Sequence, residues 1–276
     1  MKNAAKEYCY EKVAPRDSAL YYSLRSLKSH QRDSVVAVHA FYREIETIIF
    51  ECQDHHLALI KFNWWRGEIV KLTVDKSDHP ALVLLQKNVE MSRLEKIQES
   101  LLKIIDGFEQ LAVTSHFDTF EEVVVHWMRT AGERELLLNI LLHEKEIISV
   151  EMMYQLTMLI EMVHYIQHLR WYIRHDVICF PNDEMQQFNV TQALLGDYVT
   201  TNSIKKLLQH QSEKVERAYS SMKELSSKQR NQLSHLMIRC EIAHTVFDEI
   251  QKSDFCVLEN LIVLTPLRYW WIAFRS

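Results

Sequence analysis

Apolar residues recur every three or four positions along most of the chain, which is the period of an amphipathic α-helix. The pattern is clear over residues 33–51, where Val35, Val38, Phe41, Ile45 and Ile48 would share one face. It predicts further helices over residues 56–74, 81–88, 93–110, 119–129, 133–142, 149–173, 184–188, 201–225 and 228–251. Residues 75–80 gather Asp, Lys and Ser before a proline and predict a turn. Pro181 is expected to end the long helical region before it.

Glycine and proline are scarce, with four of each in 276 residues. Both are needed for tight hairpins and open loops, so their scarcity favours helices joined by short connections. No linker rich in Gly, Ser or Pro divides the chain, and no repeat of fixed period appears. We therefore expect an all-α fold in one domain over residues 1–276. The apolar share of 47% is ordinary for a folded globular protein.

The charge balance limits the partners of this chain. A net charge of -5 and the lack of a long basic run argue against a nucleic-acid-binding protein. No stretch reaches the roughly 18 consecutive apolar residues that a membrane span needs. The five cysteines are scattered and form no CxxC pair, which is typical of reduced thiols. We expect a cytoplasmic protein.

Several short motifs follow one another along the chain. S-A-L-Y-Y begins at Ser18, and Q-R-D-S-V-V-A-V-H-A-F-Y-R-E-I-E occupies residues 31–46. They are followed by W-R-G-E over residues 65–68, H-P-A-L over 79–82, T-A-G over 130–132 and I-C-F-P-N-D-E over 178–184. In this order the motifs resemble those of squalene and phytoene synthases. The resemblance implies an isoprenoid-synthase-type helical bundle around a central cavity, in which two prenyl diphosphates are joined head to head.

In that family, two aspartate-rich motifs on facing helices hold Mg²⁺, which neutralises the diphosphate leaving group. Mg²⁺ prefers carboxylate and phosphate oxygens. Matched position by position, the first motif falls on Glu46, Thr47 and Phe50, and the second on His164, His168 and Tyr172. One carboxylate is left where the chemistry needs a cluster. The resemblance therefore predicts a noncatalytic relative with no cofactor, or with Mg²⁺ only if some prenyltransferase activity remains.

Other positions that match the family bear on anion binding. Ser18, Arg43, Arg66 and Glu68 match the family and are candidates for binding an anion. The tyrosine that the family carries before its A-G pair is replaced by His126.

A second kind of metal site would use the substituted positions themselves. Glu161, His164 and His168 are three and four residues apart, so they would share one helix face. Imidazole suits zinc, iron or copper better than magnesium. The favoured interpretation, however, is that larger neutral side chains fill the former metal site and hydrogen-bond to one another. We therefore expect no metal.

Three functions compete for a chain of this kind. The leading hypothesis is a binding or assembly scaffold, because Arg16-Asp17 and the L-T-P-L of residues 264–267 resemble the squalene-synthase-like assembly factor of mitochondrial respiratory complex I. This resemblance implies a protein partner from a respiratory complex. The alternatives are a divergent prenyltransferase that condenses prenyl diphosphates, and a protein that binds an isoprenoid or another lipid in the cavity.

The last segment of the chain is rich in aromatic residues. Tyr269, Trp270, Trp271 and Phe274 lie between two arginines, at positions 268 and 275. Aromatic rings of this kind concentrate at membrane interfaces. The segment would either make peripheral contact with a membrane or pack the last helix onto the domain.

Overall fold

The computed structural model describes residues 4–52, 54–113, 116–143 and 145–275, and all regular elements within these ranges are helical. The all-α prediction is confirmed. The chain divides into two compact units. The first unit comprises Met1–Val113 and Met128–Ser149, and the second comprises Thr114–Trp127 and Val150–Ser276. The expectation of a single domain over residues 1–276 stays a prediction.

The described residues of the first unit form seven α-helices, a 3₁₀ turn at Leu24–Ser26 and a π-helical turn at Met128–Gly132. The α-helices are α1 (Ala4–Val13), α2 (Ala19–Ser23), α3 (Ser29–Glu51), α4 (His55–Val74), α5 (Pro80–Asn88), α6 (Met91–Val113) and α8 (Glu133–Leu142).

Helix α3 forms the centre of the first unit. It packs against α1, α5, α6 and α8, and Val35, Val38, Phe41 and Ile45 have no exposed surface. Burying one such side chain contributes about 1.5–3 kcal/mol, so this face of α3 provides much of the core. The apolar spacing that predicted the helix is therefore the spacing of its buried face.

Helix α4 packs along α6, and α6 also contacts the π-helical turn. Gly107 makes this second contact possible, because a Cβ atom at this position would lie 2.6 Å from the carbonyl oxygen of Arg129. The glycine is therefore required by close approach of two backbones.

The described residues of the second unit form nine α-helices and a 3₁₀ turn at Met222–Glu224. The α-helices are α7 (Phe120–Trp127), α9 (Val150–Gln167), α10 (Leu169–Arg174), α11 (Asn182–Gln187), α12 (Gln192–Gly196), α13 (Asn202–Ser221), α14 (Ser227–Gln232), α15 (Ser234–Lys252) and α16 (Pro266–Arg275).

Helix α9 packs against both α13 and α15. Leu156 and Leu159 of α9 have no exposed surface, and neither do Phe247 and Ile250 of α15. Helix α16 packs against α15, and its Tyr269 is buried. Within the described residues, no helix combines the length and the apolar character needed to cross a membrane.

Three of the longer predicted helices are broken or shortened in the structure. The helix predicted over residues 149–173 is interrupted at His168, whose ring Nδ1 lies 3.0 Å from the carbonyl oxygen of His164. The backbone N–H of His168 also donates a hydrogen bond to that carbonyl, at 3.1 Å. The helix predicted over 228–251 is interrupted at Leu233, and the one predicted over 201–225 ends at Ser221.

Pro181 was expected to end the long helical region, and this expectation was wrong. The helix ends at Arg174, and Asp176 adopts a positive φ of 57°, the left-handed conformation that commonly terminates helices. Pro181 instead precedes the first residue of α11. Proline suits that position because its fixed φ and missing N–H do not disturb a helix start.

Candidate functional site

The residues that match the first aspartate motif lie near the C-terminal end of α3. Glu46 is buried, and its carboxylate forms an ion pair with the guanidinium of Arg43 one turn earlier. The Thr47 hydroxyl donates a hydrogen bond of 2.6 Å to the carbonyl oxygen of Arg43, and Phe50 is half-buried. The one carboxylate retained from the motif is therefore neutralised by a cation of its own helix.

Arg66 of α4 was a candidate for anion binding. Its Nη2 lies 2.7 Å from Oδ1 of Asp106, and the same nitrogen also pairs with the carboxylate of Glu109 on α6. Hydrogen bonds to these two carboxylates raise the pKa of the guanidinium, against the opposing effect of burial. An incoming anion would have to displace two carboxylates of the protein.

Glu68 is buried and holds the turn between α4 and α5. Its carboxylate accepts hydrogen bonds from the Lys71 ammonium at 2.5 Å, from the Ser77 hydroxyl at 2.7 Å, and from the backbone N–H groups of Asp78 and His79 at 2.8 and 3.3 Å. Burial alone would raise the pKa of this carboxyl, but the four donors outweigh it and lower the pKa to about 2. The glutamate of W-R-G-E thus has a clear structural role.

Ser18 also has a local structural role. Its hydroxyl accepts a hydrogen bond of 3.1 Å from the backbone N–H of Tyr21 and caps the N-terminus of α2. Of the four candidates for anion binding, Arg43, Arg66 and Glu68 make ionic contacts inside the first unit, and Ser18 is a helix cap.

A buried ion pair in the first unit was missed by the sequence analysis. Arg134 and Glu135 lie in the first turn of α8, shortly after the T-A-G motif, and they are 5% and 3% exposed. Arg134 Nε and Nη2 lie 2.9 and 2.8 Å from Oε1 of Glu135, and the guanidinium stacks 4.3 Å from the ring centre of Tyr42 on α3. A buried ion pair costs desolvation energy. A charged pair directly after a matched family motif was the sequence signal that could have found it.

The residues that match the second aspartate motif lie at the end of α9 and on α10. The rings of His164 and His168 are 4.3 Å apart, and the ring of Tyr172 lies 6.2 Å from that of His164 in an edge-to-face arrangement. Tyr172 also contacts the ring of Tyr165 at 5.1 Å. The positions that would carry carboxylates in the family thus form part of an aromatic cluster.

The I-C-F-P-N-D-E segment is fastened to the second unit at both ends. The Tyr165 hydroxyl accepts a hydrogen bond of 2.9 Å from the backbone N–H of Cys179. Burial, followed by the charge of Glu161, raises the pKa of the Cys179 thiol to about 12, so this thiol is not a nucleophile at neutral pH. At the other end, Glu184 is buried and accepts hydrogen bonds from Gln211 and Lys214 of α13.

His126, which replaces a family tyrosine, is half-buried in α7 and packs against Phe117, with 5.6 Å between the ring centres. Burial lowers the pKa of the imidazole to about 4. The ring is therefore neutral at physiological pH and cannot supply a positive charge to a diphosphate.

The donor set does not fit the Mg²⁺ that the family implies. The matched positions offer one carboxylate, on Glu46, and that carboxylate is paired with Arg43. Imidazole and phenol groups at the other positions are poor Mg²⁺ ligands. No step that depends on Mg²⁺ can be derived from these residues.

The alternative metal set of Glu161, His164 and His168 does not form a compact ligand group. Among the described residues, the group of three whose ligand atoms lie within 4.8 Å of one another is Glu216, His244 and Asp248, on α13 and α15. His244 places Nε2 at 3.3 Å from Glu216 and Nδ1 at 3.9 Å from Asp248. The two carboxylates meet different ring nitrogens of His244, whereas a shared metal ion would be bound through one of them.

Comparison with known proteins identifies the class of protein. Residues 13–268 match the model of the squalene/phytoene synthase family. Because this match spans most of the chain, the protein belongs to the squalene/phytoene synthase family. The chain matches none of the curated proteins at a significant level.

Solved structures share the fold over nearly the whole chain. A dehydrosqualene synthase in complex with ligand is 16% identical, with a TM-score of 0.80 over 99% of this chain and 95% of the other. Squalene synthase HpnC from Alicyclobacillus acidocaldarius is 13% identical, with a TM-score of 0.72 over 91% of this chain and 95% of the other. YisP from Bacillus subtilis subsp. subtilis strain 168 is 15% identical, with a TM-score of 0.71 over 99% of this chain and 96% of the other. At these identities the similarity establishes the fold alone.

Proposed function

We propose that this protein is a noncatalytic member of the squalene/phytoene synthase family that acts as a binding or assembly scaffold. The observation that carries the proposal is the state of Glu46, because this sole carboxylate of the matched positions is buried and paired with Arg43. The departure of a diphosphate needs several positive charges held near it, and metal ions supply most of them in metal-assisted transfer. The ligands required for such ions are lacking at the matched positions.

The absence of catalysis can be tested directly. Purified protein is incubated with farnesyl or geranylgeranyl diphosphate and Mg²⁺ or Mn²⁺, and diphosphate release is measured. We expect no release above the rate without protein. Metal-dependent turnover that is lost in Glu46→Ala, but retained in Glu44→Ala two residues earlier, would contradict the proposal.

The scaffold role follows from the resemblance to the complex I assembly factor, and its partner would be a subunit of a respiratory complex. We expect affinity purification of the full chain to recover such a subunit, and deletion of the gene to lower respiration. Recovery of no respiratory subunit, together with normal respiration in the deletion strain, would remove this partner from consideration.

A divergent prenyltransferase is the second candidate, and the fold shared with a dehydrosqualene synthase and a squalene synthase favours it. It would use Arg43 and Arg66 to hold diphosphate. Both guanidiniums are already paired with carboxylates of the protein, which weighs against this candidate. Product formation in the assay above would favour it over the scaffold.

A lipid ligand without turnover is a third outcome of the same experiments. A non-hydrolysable farnesyl diphosphate analogue and farnesol would each be titrated against the protein while its thermal unfolding is followed. A saturable rise in melting temperature with either compound, without diphosphate release, would indicate an isoprenoid-binding protein.

We also propose peripheral membrane contact through α16. Leu267 is 73% exposed, Trp271 is 51% exposed and Phe274 is 70% exposed, while the Arg268 guanidinium stays 3.0 Å from Glu249. Exposed aromatic side chains on a short helix favour a membrane interface. We expect the protein to sediment with anionic vesicles, and Trp271→Glu with Phe274→Glu to abolish this. Equal sedimentation of the double variant would contradict the contact.

A further inference from the structure

Helix α4 carries an apolar seam on the side that faces solvent. Its positions are spaced alternately by three and four residues, as in one strand of a coiled coil. The seam consists of Leu57, Ile60, Trp64, Gly67, Lys71 and Val74. Four of these six side chains are large and apolar, and they are between 45% and 76% exposed. Exposed apolar residues are common singly, but four of them along one side of a helix mark an interaction surface.

The opposite side of α4 is apolar as well. Ala58, Phe62, Ile69 and Leu72 are buried there, where the helix packs on α6. The described part of the chain thus covers one apolar side of α4 and leaves the large apolar side chains of the seam at least 45% exposed. A partner outside the chain would bury them.

Gly67 lies in the middle of this seam. Glycine inside a helix lowers stability by about 0.5–1 kcal/mol relative to alanine. None of the described glycines adopts a positive φ, and a Cβ atom at Gly67 would meet nothing within 4 Å. Neither the backbone conformation nor packing inside the chain therefore requires this glycine. The remaining physical use of a glycine here is the close approach of a second backbone.

We propose that the α4 helices of two copies of this chain pack antiparallel to each other, with the twofold axis at Gly67. Together with Val70, which lies beside the seam and is 51% exposed, the exposed apolar residues of α4 form two pairs about this residue. Ile60 and Val74 each lie seven positions from Gly67, and Trp64 and Val70 each lie three positions from it. In an antiparallel pair, Ile60 meets Val74 of the second copy and Trp64 meets Val70. A twofold interface needs this kind of self-complementary surface.

The direction of the two helices is favourable as well. Antiparallel packing also sets the N-terminus of each helix beside the C-terminus of the other, which favours the helix dipoles. Trp64 is a suitable anchor, because its ring already contacts those of Trp65 and His79 at 5.2 and 6.3 Å. A side chain held in place before binding loses less entropy on binding.

A lipid surface suits this face less well than a second copy. The only cationic side chain on the seam is Lys71, and its ammonium is bound by Glu68 and Asp78 at 2.5 and 2.7 Å. It therefore offers no net positive charge to anionic lipid.

The association is tested by size-exclusion chromatography with light scattering of the full chain, from low to high micromolar concentration. We expect the wild type to run as a dimer, and Trp64→Glu to raise the dissociation constant by about tenfold or more. Leu267→Glu, at an apolar position on α16 that is more exposed than Trp64, should leave the dimer unchanged. A wild type that stays monomeric throughout, or a Trp64→Glu variant that dimerises normally, overturns the proposal.

Gly67→Ala is expected to have opposite effects on the stability of the monomer and on dimerisation. The added methyl group has open space in one chain and improves helix propensity, so thermal unfolding of the dilute monomer should move to higher temperature. In the dimer the two methyl groups would meet at the axis, so dimerisation should weaken. An alanine variant that associates as tightly as the wild type contradicts the register.

Gly67→Cys tests the axis directly. Two helices 8–10 Å apart, each of radius about 2.3 Å, bring facing Cα atoms within the range that a disulfide spans. Mild oxidation should give a covalent dimer of Gly67→Cys, and none of the wild type or of the exposed control Val150→Cys. Failure of Gly67→Cys to cross-link, while the protein remains folded, overturns the antiparallel arrangement.

Discussion

At the scale of single residues, the surviving family positions are occupied by contacts inside the protein. Glu68 receives four hydrogen bonds, Arg66 pairs with two carboxylates, and Arg43 pairs with Glu46. From their residue types and motif positions alone, these residues were predicted to help bind an anion. Residue types and motif positions could not predict these partners, because Asp106 and Glu109 lie some forty positions away from Arg66 in the chain and approach it only through the packing of α4 on α6.

Replacing Glu68 with glutamine tests its structural role. The change removes the charge that four donors stabilise, and hydrogen bonds to charged groups contribute about 1.5–3 kcal/mol. We expect the free energy of unfolding at pH 7 to fall by about 2 kcal/mol. Because the pKa of Glu68 is lowered from 4.5 to about 2 in the folded protein, the wild type should lose this advantage as the pH falls from 4.5 to 2.

The matched control for this change is Glu99→Gln. Glu99 pairs with Lys103 on the exposed side of α6, and both side chains are more than half exposed. Glu99→Gln should therefore change the free energy of unfolding, measured with denaturant, very little. Equal losses for the two variants would show that Glu68 does not hold the turn.

A second dependence of stability on pH, besides that from Glu68, is expected from His126. Its pKa is lowered by burial from 6.5 to about 4, so protonation favours the unfolded chain. Stability should fall as the pH drops from 6.5 toward 4, by on the order of 1 kcal/mol from this half-buried residue. His126→Phe should flatten that part of the profile when unfolding in urea is measured at several pH values. A parallel decline in the variant would assign the loss to other groups.

At the scale of helices, the periodic pattern located the elements well and their ends less well. The predicted 133–142 helix matches α8, and the predicted 56–74 helix begins one residue late. The break at His168 was missed because the apolar period continues through it, with Ile166, Leu169 and Ile173 all buried. The end at Arg174 lies one residue beyond the predicted end at 173, and the left-handed Asp176, not Pro181, follows it.

Two glycines in the middle of helices predict opposite responses to alanine. At Gly107 the new Cβ would lie 2.6 Å from a backbone oxygen, so Gly107→Ala should destabilise the fold by about 1–3 kcal/mol. Gly67→Ala is the control, because its Cβ enters open space and should stabilise the dilute monomer by up to about 1 kcal/mol. Thermal unfolding of both variants at one low concentration checks the pair. A stabilised Gly107→Ala would mean that α6 and the π-helical turn separate readily.

At the scale of the whole molecule, composition and ordered motifs were enough to predict an all-α member of this family. Scarce glycine and proline indicated helices, and the match over residues 13–268 bears out the family. The candidate site was less predictable, because a motif position defines a residue type and not its contacts. Arg134 and Glu135 illustrate this, since their burial against Tyr42 depends on the packing of α8 against α3.

The free thiols lead to a prediction about the molecule as a whole. All five cysteines are unpaired, and three of them are buried. Burial raises the pKa of the thiols of Cys9 and Cys179 to about 12, so both resist oxidation. Thermal unfolding should be the same with and without a reducing agent. A lower melting temperature under reducing conditions would indicate a disulfide.

The surroundings of Glu68 change what the W-R-G-E motif indicates. A carboxylate that closes a turn contributes to folding in any chain of this architecture, whether or not that chain turns over a substrate. Finding these letters in a newly sequenced genome would therefore report ancestry and architecture. Evidence of turnover has to come from groups that can hold a metal ion or touch a substrate, which a turn-closing carboxylate does not do.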